Sequence, residues 1–234
     1  MIGQILLHWV QIPFLEPFRI SNGSVSVKDS IIVEARAGGF TGFGEASPMS
    51  GSFYSPETPE STWQALADTL VPLVLGHSFD DPKQLTLPDG EPFAQAGLDG
   101  ALWDLVCQRS GAPLWRLLGS QPRLIPSGVA IGIFDTVEEL LDRVARFLAA
   151  GYRRVKIKIQ PGWDIEPVRA VREKFGAVPL MVDANAAYTL RDLDLFRELD
   201  RFDLMMYEQP LEREARDERF RLGVCPSSSP TPRP

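Results

Sequence analysis

The sequence predicts an α/β protein in two parts: an N-terminal α+β domain, then the first half, about four βα units, of a (β/α) barrel. Three observations carry this. Strand-like segments cluster before residue 46 and helical ones follow up to residue 119. From residue 124 the pattern changes to alternating short apolar runs and helical stripes, the signature of parallel strands with crossover helices. Within that region Lys158, Asp183 and Glu208 end successive apolar runs at a constant step of 25 residues.

In the first part, ILLHWVQI and the alternating SIIVEARA read as strands, and FTGFGEA follows a Gly-Gly turn. Between the first two lies Ser21–Asp29, SNGSVSVKD, expected to be a mobile loop, and a second loop, Ser50–Tyr54, is rich in Ser, Gly and aromatics. PETPESTWQALADTLVPLVLG has helical apolar spacing, with Gly76 as a stop. In PFAQAGLDGALWDLVCQRSG, the residues Leu98, Ala101, Leu102, Leu105 and Val106 make one apolar face. APLWRLLG adds a short helix, so residues 1–123 form one domain of ordinary size.

In the second part, IPSGVAIGI is a strand. Thr136 and Glu139 form a capping box ahead of the stripe Val137, Leu140, Leu141, Val144, Phe147, Leu148. RRVKIKI, PLMVDA and LMMYEQP are strands, and DIEPVRAVREKFG and TLRDLDLFRELD are helices. Counting back 25 from Lys158 reaches Ile133, taken as the end of the first strand. Residues 124–211 thus read as a partial barrel, since a complete one takes roughly 250 residues. Residues 212–234 depart from the pattern with a charge run and a Pro/Ser-rich end, and are expected to be an aberrant, disordered tail.

Composition narrows the function. A net charge of −7 argues against nucleic acid, and no apolar run is long enough to span a bilayer. The N-terminus lacks a basic region and a cleavage site, so no signal peptide is expected. With two cysteines, two histidines and no CxxC, a zinc site or disulfide framework is not expected, and a cytoplasmic location is.

Lys156 and Lys158 lie two apart on a strand and so share a face, opposite Val155, Ile157 and Ile159. Alone, such lysines read as a polar strand end. Asp183, Asn185 and Glu208 alone read as caps or turn residues. Together at the barrel period, a lysine base lowered in pKa by its neighbour's charge and two carboxylates in one mouth make a more specific pattern. Two carboxylates there call for a counter-charge such as a hard divalent cation.

The motifs YRRVKIKIQPGWD, VDANAAYTL and YEQPL, with FGEASP and GLDGALWDLVCQRSGAPLWRLLG upstream, resemble the enolase superfamily over about residues 1–211. The resemblance is to its Lys-x-Lys, muconate-lactonizing-like branch, and within it to the o-succinylbenzoate synthase and N-acylamino acid racemase group. It implies that the first domain is a capping domain. It further implies lyase or isomerase chemistry on a small-molecule carboxylate, with removal of an α proton assisted by Mg²⁺ or Mn²⁺, as in a dehydration step of menaquinone biosynthesis or in racemisation. By the same resemblance Lys158 is the catalytic lysine, Lys156 its electrostatic partner, Asp183 and Glu208 metal ligands, and Asn185 a support of the metal site. Ser21, Asn22, Gly23, Ser24, Ser52, Phe53 and Tyr54 would belong to loops closing over the substrate, and a homo-oligomer is compatible with the family.

The family's third metal ligand and opposing lysine, on later strands, have no counterpart here. The change of character after Leu211 is read as an interrupted reading frame. Little turnover is therefore expected from these residues alone. The competing reading is a non-catalytic remnant, or a half-barrel completed by another chain.

Overall fold

A computed structural model describes residues 1–50, 55–78 and 81–212. Ser52, Phe53 and Tyr54, Cys225 and the tail from residue 213 onward lie outside the described residues. The chain forms two compact units: residues 1–16 with 25–123, and residues 17–24 with the chain from Leu124 onward. The sequence reading assigned 17–24 to the first domain. Within the second unit Ile133 N–H donates to the Arg19 carbonyl oxygen at 3.0 Å, and Gly132 leaves room for that oxygen, which a Cβ there would meet at 2.9 Å.

A three-stranded sheet runs β1 (Gln4–Ile20), β2 (Gly23–Ala37) and β3 (Phe40–Ala46), in that order; the first unit holds all of it except residues 17–24 at the β1–β2 tip. The expected loop Ser21–Asp29 is therefore mostly strand. Its Ser-Val-Ser-Val alternation extends β2 back to Gly23, and the turn shrinks to Ser21–Asn22 at the Asn-Gly dipeptide, a strong hairpin signal. β2 and β3 pair antiparallel from Ile31↔Ala46 to Ala37↔Phe40.

α1 (Pro59–Gln64) starts at a Thr58–Ser61 capping box and runs through a π-helical segment, Ala65–Leu70, into α2 (Val71–Val74). α3 (Pro92–Ser110) lies on β3 at very close range: a Cβ on Gly44 would meet the Gly97 carbonyl at 2.0 Å and Ala101 N at 2.4 Å. Glu57, buried, receives hydrogen bonds from Phe93 N, Ala94 N and Thr62 Oγ1 and so satisfies free donors at the α3 N-terminus. Ile31, Val33, Leu66, Leu98, Ala101 and Leu102 form this core. The short α4 (Leu114–Leu117) follows.

The second unit is a parallel sheet in the order β4 (Gly128–Ile131), β5 (Arg154–Lys158), β6 (Leu180–Asp183), β7 (Met206–Glu208). The helices α5 (Val137–Ala149), α6 (Ile165–Phe175) and α7 (Leu193–Leu199) connect them. The Thr136–Glu139 capping box opens α5 as its sequence requires. Leu140 and Val144 of α5, Val168 and Val171 of α6, and Phe196 and Leu199 of α7 pack with Val155, Ile157, Leu180 and Val182.

Pairing between strands accounts for the repeat: Lys158 is the register partner of Asp183, and Asp183 of Glu208. The repeat does not reach the first strand as expected. Gly128 pairs with Arg154 and Ile131 with Ile157, a step of 26. β4 ends at Ile131, and Ile133 is tied instead to Arg19.

Candidate active site

Four charged side chains meet at the C-terminal ends of β5, β6 and β7. Strand alternation sends Val155, Ile157 and Ile159 into the helix-covered core, all with no exposure, and leaves Lys156 and Lys158 on the other face. Lys158 Nζ donates to Asp183 Oδ2 at 2.6 Å and to Asn185 Oδ1 at 2.9 Å. Lys156 Nζ donates to Glu208 Oε2 at 2.8 Å and lies 3.2 Å from Asp183 Oδ2. Lys158 is 7% exposed and Asp183 1%.

The two lysines differ electrostatically. Burial pushes Lys158 down; its contact with Asp183 opposes this, the charge of Lys156 adds to it, and the pKa ends below the ordinary lysine value. Burial also works against charge on Lys156, but the hydrogen bond from Lys156 to Glu208 and the charges of Asp183 and Glu208 outweigh it, so that pKa lies above the ordinary value. The two lysines are thus shifted in opposite directions.

The chain after Asp183 turns sharply. Asn185 N–H donates to Asp183 Oδ1 at 3.0 Å, and Asn185 (φ 46°) and Ala186 (φ 64°) are both left-handed. For alanine that conformation costs about 1 kcal/mol. Ala186 N–H donates to the carbonyl of Gln209, itself at φ 43°, and Asn185 Nδ2 reaches Gln209 Oε1 at 3.4 Å. Asn185 therefore caps no helix; it hydrogen-bonds both Asp183 and Lys158.

From the hairpin tip, Ser21 Oγ donates to the Ala184 carbonyl at 2.8 Å, next to Asp183. The Phe18 ring centroid lies 5.9 Å from Lys158 Nζ, within cation–π range. Asn22 and Ser24 are exposed, and Gly23 opens β2. Sequence reasoning missed Phe18, because only the three-dimensional placement of the tip brings it to Lys158, and Gln209, whose part depends on its left-handed backbone.

The donor set is oxygen throughout: two carboxylates and the Asn185 carbonyl, the ligand chemistry a hard divalent cation selects. Asp183 and Glu208 already converge on one cation, the Lys156 ammonium, so the arrangement fits a metal ion in kind. Among the described residues no group of three or more acidic, histidine or cysteine side chains gathers as a metal cage.

Residues 4–119 match the mandelate racemase / muconate lactonizing enzyme N-terminal domain, and residues 139–228 match the enolase C-terminal domain-like family. The chain belongs to the enolase superfamily. It is 42% identical over 226 residues to the o-succinylbenzoate synthase of Geobacillus kaustophilus, covering 94% of this chain and 60% of that protein. It is 40% identical to the N-succinylamino acid racemase of an Amycolatopsis species, covering 91% and 59%. The dipeptide epimerase of Enterococcus faecalis, solved with Mg and L-Leu-L-Tyr, superposes with a TM-score of 0.83 at 28% identity, covering 91% of this chain and 62% of that one. The chain thus spans about 60% of the length of the relatives it matches. These enolase-superfamily relatives are enzymes of the lyase and isomerase type that the resemblance implied. Among the described residues no helix is long and apolar enough to cross a membrane.

Proposed function

We propose that this chain carries the base side of an enolase-type active site, which removes a proton α to the carboxylate of a small molecule. The reactions in view are the dehydration of an o-succinylbenzoate synthase, a menaquinone-pathway step, or the racemisation of an N-acylamino acid. The observation that carries this reading is the in-register row Lys158, Asp183, Glu208, closed by lysine–carboxylate contacts of 2.6 and 2.8 Å.

Lys158 is the base. Burial lowers its pKa, the direction that favours a general base. Lys156 keeps its charge and stabilises the carboxylate side of the substrate. Asp183 and Glu208 would hold Mg²⁺ or Mn²⁺, with Asn185 supporting Asp183. When bound, the ion stabilises the negative charge that develops on the substrate carboxylate. Ser21 and its neighbours Asn22, Gly23 and Ser24 cover the site. The same role for Ser52, Phe53 and Tyr54 rests on the family resemblance. Two carboxylates hold Mg²⁺ weakly, because it demands near-octahedral geometry, so turnover by these residues alone is slow.

Treatment with EDTA separates this reading from Schiff-base chemistry at Lys158. Conversion of an N-succinylamino acid that stops on chelation and returns with Mg²⁺ supports the proposal. Activity indifferent to EDTA, with a carbonyl substrate trapped on Lys158 by borohydride, would replace it with an aldolase-type reaction.

A further inference from the structure

Tyr188 touches the segments that follow all three strands of the site. Its side chain is 2% exposed, and its hydroxyl donates to Asp164 Oδ2 at 3.1 Å. Asp164 stands six residues after Lys158, where its other oxygen accepts from Ile165 N–H at 2.7 Å and caps α6. The backbone of Tyr188 forms a parallel bridge with Leu211, and its carbonyl accepts from Glu212 N–H at 2.9 Å. Leu211 stands three residues after Glu208, and Tyr188 itself five after Asp183. The ring packs edge-on against Phe196 at 5.3 Å, and Phe196 in the same way against Tyr207 at 5.6 Å, so the ring is fixed from the core side.

We infer that Tyr188 is a positioning residue that locks the loops after β5, β6 and β7 together, and through them sets the mutual placement of Lys158, Asp183 and Glu208. This rests on the reading of those three residues as one active site. The physical case concerns the segment between Asp183 and Tyr188. It contains two consecutive left-handed residues that are not glycine, a conformation that persists only where surrounding contacts over-determine it. Asp183 is fixed on the strand at one end of that segment, and Tyr188 is the anchor at the other. A phenol donating to a partly buried carboxylate is a directional tie between the two loops, which ring packing against Phe196 does not supply.

Hydrogen exchange in the full chain tests this. The amides of Gln160 and Trp163 bond each other's carbonyls in the first loop. Those of Ala186, Ala187 and Glu212 are bonded in the second and third. Tyr188→Phe keeps the ring and removes the tie. It should speed exchange at Gln160 and Trp163 about tenfold, while Asp164→Ala should do the same at Ala186, Ala187 and Glu212. The double variant should be no faster than the faster single. Where turnover is measurable, Tyr188→Phe should lower kcat about tenfold and leave KM within about twofold, the signature of misplaced catalytic groups.

Exchange at Gln160 and Trp163 unchanged in Tyr188→Phe, or additive effects in the double variant, would overturn the inference. Uncoupled loops together with Lys158-dependent turnover would sink the role of Tyr188 alone. Coupled loops without turnover would support that role and count against the reading of the site.

Discussion

Lys158 and Asp183 are register partners on neighbouring parallel strands, and their side chains meet at 2.6 Å with both groups buried. The pair is not symmetric. Asp183 also lies 3.2 Å from Lys156 and accepts from Asn185 N–H, whereas Lys158 has Asp183 as its one carboxylate contact among the described residues.

That asymmetry predicts unequal costs. Asp183→Asn leaves Lys158 without its carboxylate contact and Lys156 with Glu208 alone, and should cost about 3 kcal/mol, the scale for stripping a buried charge of its partner. Lys158→Met leaves Asp183 still paired with Lys156 and should cost about 1 kcal/mol. Urea unfolding of both variants measures the order, and a larger loss for Lys158→Met would contradict the geometry.

Lys156 occupies the point on which both carboxylates converge. Lys156→Met should therefore raise Mg²⁺ affinity, by about tenfold or ~1.4 kcal/mol, and at the same time lower turnover. Titration calorimetry with Mg²⁺ alone gives the answer; weaker binding in the variant would place the ion elsewhere.

Gly44 lets α3 approach β3. Gly44→Ala would drive a methyl group into the backbone of Gly97 and Ala101, atoms that cannot swing aside as a side chain can. A loss of about 3 kcal/mol is expected, seen as a lowered melting temperature. A neutral effect would mean that the helix stands off the sheet.

The pH dependence of stability has a predicted sign at each end. Hydrogen bonds from Lys28, Ser30 and Ser47 hold Glu45 down at about 2, against an ordinary value of 4.5. A depressed carboxylate contributes stability that is present above its unfolded pKa and lost as pH falls towards the folded one. Glu45→Gln should flatten the acid limb between those values. Burial, with Asp164 beside Tyr188 and Asp200 beside Tyr207, raises both phenols well above the ordinary 10. Their contribution is full below pH about 10 and falls above it, because only the unfolded chain then releases the proton. Denaturant midpoints across pH check both limbs. Removing both hydroxyls (Tyr188→Phe with Tyr207→Phe) should soften the alkaline fall.

Much of the fold was legible because periodicity survives in a linear sequence. The Thr136–Glu139 box, the α5 stripe and the apolar runs ending in Lys158, Asp183 and Glu208 each follow from local spacing, and the 25-residue step was the sheet register itself. The same step misled at Ile133, since the β4–β5 offset is one residue longer, which spacing alone does not disclose. Ser21–Asp29 looked like a loop because its small polar residues outweighed the Val25 and Val27 alternation. In the site, lysines and carboxylates stood out by charge. Phe18, Tyr188 and Gln209 did not, because their parts depend on a distant hairpin tip, a buried hydroxyl and a left-handed backbone.

The central claim is that Lys158 removes a proton α to a carboxylate. The most direct test is incorporation of solvent deuterium at Cα of an N-succinylamino acid, followed by NMR in the presence of Mg²⁺, for the unaltered chain and for Lys158→Ala. The account predicts slow incorporation that stops on chelation of the metal and is lost in Lys158→Ala while that variant stays folded. Incorporation at the same rate in folded Lys158→Ala, or none in the unaltered chain at saturating Mg²⁺, would contradict it.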